Sequence, residues 1–164
     1  MKVEMKHIDI RKAELKDKEI LKNLMQFYFY DFTEFIDVHP TSNGLFSDYP
    51  YLDNYWEEEG RYPYLVELQG KLAGFALIRL IHTPEKSYCS MAEFFILKKF
   101  RRTGLGRAVA HRMFDLHKGN WEVLQIEKNK PAQTFWRKVI HDYCDGKFFE
   151  REAEGKVIQE FVSR

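Results

Sequence analysis

The stretch MAEFFILKKFRRTGLGRAVAHRMF, Met91 to Phe114, constrains this chain more than any other part of it. A run with strand character feeds a loop holding two glycines and three arginines. That loop opens into a segment whose apolar residues fall at helical spacing. Gly104 and Gly106 let the backbone approach a ligand with no side chain in the way. The first turn of a helix leaves N–H groups without intrahelical acceptors, and the helix dipole favours an anion there. Arg101, Arg102 and Arg107 add positive charge at the same place. The combination suits a pyrophosphate.

Three phosphate-binding chemistries compete for this loop. A Walker loop ends in Gly-Lys-Ser or Gly-Lys-Thr, whereas Gly106 is followed by Arg107 and Ala108. The dinucleotide fingerprint needs a small residue three positions after Gly106, where Val109 stands. It also opens a parallel unit, whereas this loop follows a hairpin. The Arg-x-x-Gly-x-Gly turn of an acyl-coenzyme A site fits Arg101, Gly104 and Gly106. The plain alternative is a glycine-rich helix start with a solvated basic face.

The flanking sequence supplies a single domain over residues 1–164. Strand runs are expected at Lys2–Ile10, Tyr62–Glu67, Leu72–Ile81, Tyr88–Leu97, Trp121–Ile126, Lys147–Arg151 and Val157–Val162. Helices are expected over Ala13–Phe35, Leu52–Glu59, Leu105–His117 and Lys130–Ile140, the last with Asn129 as its cap and Pro131 in its first turn. The first helix carries Ile20, Leu21, Leu24, Tyr28 and Phe35 as a stripe, and its second half, FYFYDFTEF, is aromatic all round. That end reads as core or as a cleft lining, where Asp31 and Glu34 could attract a cationic amine. The order β, α, α, β, β, β, α, β, α, β, β predicts a mixed α/β layer protein with a mostly antiparallel sheet flanked by helices.

Composition closes off other classes. The 26 basic and 25 acidic residues give a net charge of +1, so there is no general electrostatic drive toward nucleic acid or anionic membrane, though a local patch is compatible with that balance. The basic loop has no interleaved exposed aromatics of the kind that stack on bases. The start has no apolar signal core, and the best membrane candidate, Leu72–Ile81, is broken by Arg79. Cys89 and Cys144 read as free cytosolic thiols, which suggests a cytoplasmic protein. The six histidines lack ligand spacing, so no metal is expected. An exposed edge in the tail strands would allow a homodimer as well as a monomer.

Taken together, the strand run, RRTGLGRA and the following helix resemble the acetyl-coenzyme A motif of the GNAT superfamily of N-acyltransferases. A second segment, NKPAQTFWRKVI, resembles that superfamily's next block, with Asn129, Ala132, Phe135 and Trp136 at its characteristic places. The resemblance spans about Leu65 to Phe161 and is nearest to acetyltransferases with an AEFF strand and an FW pair. It implies a GNAT-type fold with acetyl-CoA as cosubstrate. Backbone groups of Phe94, Phe95 and Ile96 would hold the pantetheine arm where the fourth strand splays from the fifth. Arg102, Thr103, Gly104, Leu105, Gly106 and Arg107 would wrap the pyrophosphate. Asn129 would touch the cofactor near its thiol, and Phe135 and Trp136 would pack beside the pantetheine.

The implied reaction is attack of a primary amine, on a small molecule or a peptide, upon the thioester. A lysine-like amine has a pKa of about 10.4 and must lose a proton first. Glu93, on the central strand, is the candidate base, with a salt-bridged or surface glutamate as its plain reading. The Ile96 N–H would polarise the carbonyl. Many relatives carry tyrosine, as the acid, where this chain has Trp136, and Tyr143 is the substitute acid considered. A protein that binds acyl-CoA on this fold without turnover is the alternative function.

Overall fold

The computed structural model describes residues 2–164. Seven strands form one sheet: β1 (Ile8–Lys12), β2 (Arg61–Leu68), β3 (Lys71–His82), β4 (Ser87–Ile96), β5 (Gly119–Ile126), β6 (Phe149–Ala153) and β7 (Lys156–Ser163). Four helices accompany it: α1 (Lys18–Phe32), α2 (Asn54–Glu57), α3 (Leu105–Leu116) and α4 (Lys130–Cys144). The strands lie in the order β1-β2-β3-β4-β5-β7-β6, and every neighbouring pair is antiparallel except β4 and β5. The expected fold class is therefore found.

Boundaries differ where local chemistry outweighs the apolar pattern. The first strand begins only at Ile8, because Met5–His7 forms a 3-10 turn. The first helix begins at Lys18 rather than Ala13. Glu14 and Asp17 cap each other reciprocally around the 3-10 turn Leu15–Asp17, and Asp17 is also held by Arg11 at 2.8 Å. The short helix shrinks to Asn54–Glu57. The last helix runs one turn further than expected, to Cys144, and ends at a left-handed Asp145 followed by Gly146. The β2–β3 hairpin turns through Gln69 and Gly70, both at positive φ, as a two-residue turn with right-handed strand twist requires.

Each face of the sheet buries its own core. Helices α1 and α2 cover one face with Leu21, Leu24, Met25, Leu52 and Tyr55 against Leu65, Phe75, Leu77 and Phe95. Helices α3 and α4 cover the other with Leu105, Val109, Met113, Phe114, Trp136 and Ile140 against Val66, Ile78, Trp121 and Phe161. Alternation along β3 feeds both, since Phe75 and Leu77 point one way and Ala76 and Ile78 the other.

Two irregularities shape β4. Leu77 pairs with Glu93 and Ile78 with Met91, so Ala92 is an extra residue, a bulge, opposite β3. Further along, Gly74 lies against the Phe95 carbonyl, where a Cβ would come within 2.0 Å of the oxygen. A backbone atom cannot yield as a flexible side chain would. Gly74→Ala is expected to cost about 3 kcal/mol. Gly104→Ala, strained at φ +90° but with nothing within 4 Å, is expected to cost about 1 kcal/mol. Urea unfolding of the two variants checks the order, and a smaller loss at Gly74 would contradict it.

Candidate active site

Strands β4 and β5 are paired only through Cys89 with Trp121 and Ser90 with Glu122. Beyond Ser90 the two strands part. The Leu97 N–H donates to the Ala73 carbonyl on β3 at 2.9 Å. By strand alternation, the Phe94 and Ile96 backbone groups face away from β3, into the opening. The Ile96 carbonyl accepts from Arg101 Nε at 2.9 Å, which leaves its N–H facing the gap. Phe94 stacks on Phe135 at 6.0 Å and meets Trp136 edge-on at 4.9 Å, so the aromatic pair of α4 sits beside the parted strands.

The glycine loop stands at the same end. Gly104 caps α3 in the left-handed conformation, and Arg102 is also at positive φ. The Gly106 and Arg107 amides find no acceptor among the described residues. A Cβ on Gly106 would come within 3.1 Å of the Phe135 ring, so glycine is what lets α3 and α4 meet here. Arg102 is exposed and forms no ion pair among the described residues, and Arg107 has only a 3.6 Å contact with Asp142. This is a cradle of free amides and loosely held guanidinium groups, open to solvent, and it fits a pyrophosphate.

Other expected residues of the segment serve the scaffold. Arg101 turns away from the loop. Its guanidinium bonds Asp31 on α1 and the Ile96 carbonyl, and lies over the Phe95 ring. Asp31 is thereby occupied, with Lys98 also near it. Thr103 is buried; its hydroxyl donates to the Phe100 carbonyl, and its own carbonyl accepts from Val3 at 3.1 Å. Leu105 is core. The Asn129 side chain accepts from Ala132 N at 3.1 Å, capping α4, which leaves its amide nitrogen free.

Glu93 is the centre of the opposite face. Tyr28 of α1 donates a short hydrogen bond to Oε2, and Tyr49, from the segment joining α1 to α2, donates to Oε1 at 3.3 Å. Burial raises the Glu93 carboxyl above the usual carboxylate range, and the two tyrosine bonds pull it partly back. Burial and the Glu93 charge push Tyr28 and Tyr49 well above an ordinary phenol, so both stay protonated and both donate. The long Tyr49 bond leaves Oε1 as the atom free to take a further proton donor. Neither tyrosine has a role in the sequence reading. Tyr28 sits on the helical stripe, but its partner is 65 positions away, and Tyr49-Pro50 reads only as a loop signal.

Tyr143 lies elsewhere. Its hydroxyl donates to Asp115 at 2.8 Å and bonds Ser163 at 2.7 Å, in the packing of α3, α4 and β7. It stands 14 positions along α4 from Asn129, about 20 Å away by helical rise. Among the described residues no cluster of His, Cys, Asp or Glu could hold a metal, and no helix is long and apolar enough to cross a membrane.

An open parallel ladder beside a glycine-rich helix start is the architecture of acyl-CoA-dependent acetyltransferases. The acetyltransferase (GNAT) family model matches residues 21–141, and the chain belongs to that family. The chain is similar in fold to an acetyltransferase from Thermus thermophilus, with 17% identity, a TM-score of 0.72 and 99% of each chain covered. It is similar to the PaiA N-acetyltransferase of Thermoplasma acidophilum in complex with coenzyme A, at 13% identity and TM-score 0.64, over 94% of this chain and 98% of that one. A spermidine N-acetyltransferase from Vibrio cholerae, in complex with CoA and spermine, matches at 12% identity and TM-score 0.62 over 96% of each chain. A search of curated proteins finds no match.

The raised Glu93 carboxyl links stability to pH. The native protein keeps that proton to higher pH than the unfolded chain does. Ionising it therefore costs stability as pH rises from the ordinary to the raised value. Glu93→Gln should abolish this slope, about 1.4 kcal/mol per pH unit within the interval. Urea unfolding from about pH 4 to neutrality measures it. Parallel curves for the two proteins would show that burial does not disfavour the charged form.

Proposed function

We propose that the protein transfers an acetyl group from acetyl-CoA to a primary amine by direct attack on the thioester. The observation that carries this reading is the gap between β4 and β5. It has the Ile96 N–H on its wall and free amides of α3 at its end, with Glu93 on the neighbouring face of β4.

Each residue has a distinct task. Gly104, Gly106 and Arg107 offer backbone N–H groups to the pyrophosphate, and Arg102 and Arg107 offer charge. The Phe94 and Ile96 backbone bonds the pantetheine amides as a strand would, while Phe135 shields the arm from water. Arg101 acts through another group, holding the Ile96 carbonyl so that the N–H keeps its aim. That N–H stabilises charge developing on the thioester oxygen. Glu93 Oε1 takes the amine proton, directly or through one water, while Tyr28 fixes the carboxylate. The nitrogen gains the acetyl carbon and the carbon–sulfur bond breaks. Trp136, buried against Phe94 and Phe114, has no acidic proton to give. A thiolate whose conjugate acid has a pKa of ~8.5 leaves without a dedicated acid.

Calorimetric titration is expected to give micromolar binding of acetyl-CoA, weakened about tenfold by Arg102→Ala, the loss of one charge-assisted contact. Glu93→Gln is expected to lower turnover by about 100-fold with cofactor affinity unchanged. Unchanged turnover would sink the base assignment. Absence of turnover with any amine, alongside tight binding, would favour the silent acyl-CoA binder.

The pH profile gives an independent check. The acid limb of kcat/KM should lie above the usual carboxylate range and vanish in Glu93→Gln. Tyr28→Phe removes a bond that favours the charged carboxylate, so it should move that limb to higher pH. A limb shifted to lower pH would show that Tyr28 does not stabilise the ionised base.

A further inference from the structure

Beside Glu93, strands β2 and β3 set two arginines opposite each other. Arg61 and Arg79 are register partners, and Arg79 is also opposite Ser90 on β4. Arg79 is two residues beyond Leu77, whose own partner is Glu93, so the arginines share the Glu93 face about 7 Å further along the strand. Like charges directly across a ladder repel. Arg61 is answered by Glu58 at 2.8 Å and lies over the Tyr55 ring at 5.3 Å. Arg79 is half-buried, and among the described residues it forms no ion pair and no hydrogen bond. Its charge has no partner within ion-pair distance among the described residues.

A second, independent feature marks the same spot. The Tyr55 side chain is buried, at 3% exposure, and its hydroxyl has no hydrogen-bond partner among the described residues. Buried hydroxyls nearly always have one. Burial pushes this phenol up to about 12, Glu93 pushes the same way, and Arg61 and Arg79 pull it down; Arg61 is the nearest donor to the phenol oxygen, so it is the hydroxyl proton that lacks an acceptor. A cavity of about 670 Å3 opens between α2 and the ends of β2 and β3; Tyr55, Arg61 and Lys12 line it together with Glu58 and Glu59, and Arg79 stands behind its Leu80 wall rather than in it.

We propose that Arg79, Arg61 and Tyr55 form an anion subsite that receives a carboxylate of the acceptor. This deepens the acetyl-transfer reading and rests on it. The acceptor is then an amino carboxylate, an amino acid or a near analogue, with its amine at Glu93 and its carboxylate at Arg79. Arg79 supplies the charge and a two-pronged donor for a carboxylate, and the Tyr55 hydroxyl donates the bond it otherwise lacks. A polyamine would set a second cation against Arg79, so it is disfavoured.

Matched pairs test this: β-alanine against ethylamine, 4-aminobutyrate against propylamine, phenylalanine against phenethylamine, with spermidine added. Thiol release gives kcat/KM, and melting of the CoA-saturated protein reports binding without turnover. At least one carboxylate is expected to exceed its decarboxylated partner about tenfold. In Arg79→Met that preference should fall to about twofold. Tyr55→Phe removes only an oxygen without partners, so it should fold as wild type and lower the same preference. Neither change should alter the melting shift given by acetyl-CoA alone. Equal rates within every pair, a preference for spermidine, or no response to any carboxylate while acetyl-CoA binds would overturn the subsite. Failure of acetyl-CoA to bind would instead overturn the transfer reading, and the melting shift with amino carboxylates alone would then judge the subsite.

Discussion

Two parallel strands that pair at two positions and then separate leave a row of backbone donors and acceptors without strand partners, of which the Ile96 carbonyl is taken up by Arg101. Such groups are costly if sealed in protein and harmless if they face water or a ligand with peptide-like groups. The rest of the molecule is arranged around that gap. Antiparallel neighbours hold each strand rigid from its outer side, β3 on β4 and β7 on β5. Phe94 meets Phe135 and Trp136 of α4 beside the opening, and Gly106 lets α3 close down on the same ring. The proposed pyrophosphate cradle and the gap are fixed relative to each other because one short loop joins β4 to α3.

The two faces of β4 divide the labour. On one, aromatic packing with α3 and α4 shapes the cofactor side. On the other, Tyr28 and Tyr49 converge on Glu93 from α1 and from the long segment that follows it. The Ala92 bulge lies between Met91 and Glu93, and past it Glu93 faces the α1 side while Met91 packs on the other core. Arg101 and Asp31 tie the end of β4 to the same helix that supplies Tyr28. Position of the proposed base, Glu93, and aim of the Ile96 N–H thus depend on the docking of α1.

Much of this was legible in the sequence because it is local. Alternation and turn residues mark the strands, and Gly104 and Gly106 before an amphipathic stretch mark the start of α3. Glu93 was placed on its strand by the same pattern. Boundaries depart from the apolar pattern where side chains compete for backbone groups, as Glu14 and Asp17 do ahead of α1. What sequence could not show were contacts across long separations. The Tyr28–Glu93 and Tyr49–Glu93 bonds, and the diversion of Arg101 to Asp31, join residues that no periodicity links. Tyr143 looked suitable by residue type alone, and its hydroxyl is committed to Asp115 and Ser163.

The most direct test follows backbone amides by nuclear magnetic resonance during titration with acetyl-CoA. The largest shifts are expected at Phe94, Ile96, Gly104, Gly106 and Arg107, with smaller changes on β6 at the far edge of the sheet. Adenosine diphosphate should move only the amides of Gly104 to Arg107. Undisturbed Phe94 and Ile96 amides at saturating acetyl-CoA would contradict the claim that the gap between β4 and β5 is where the thioester lies.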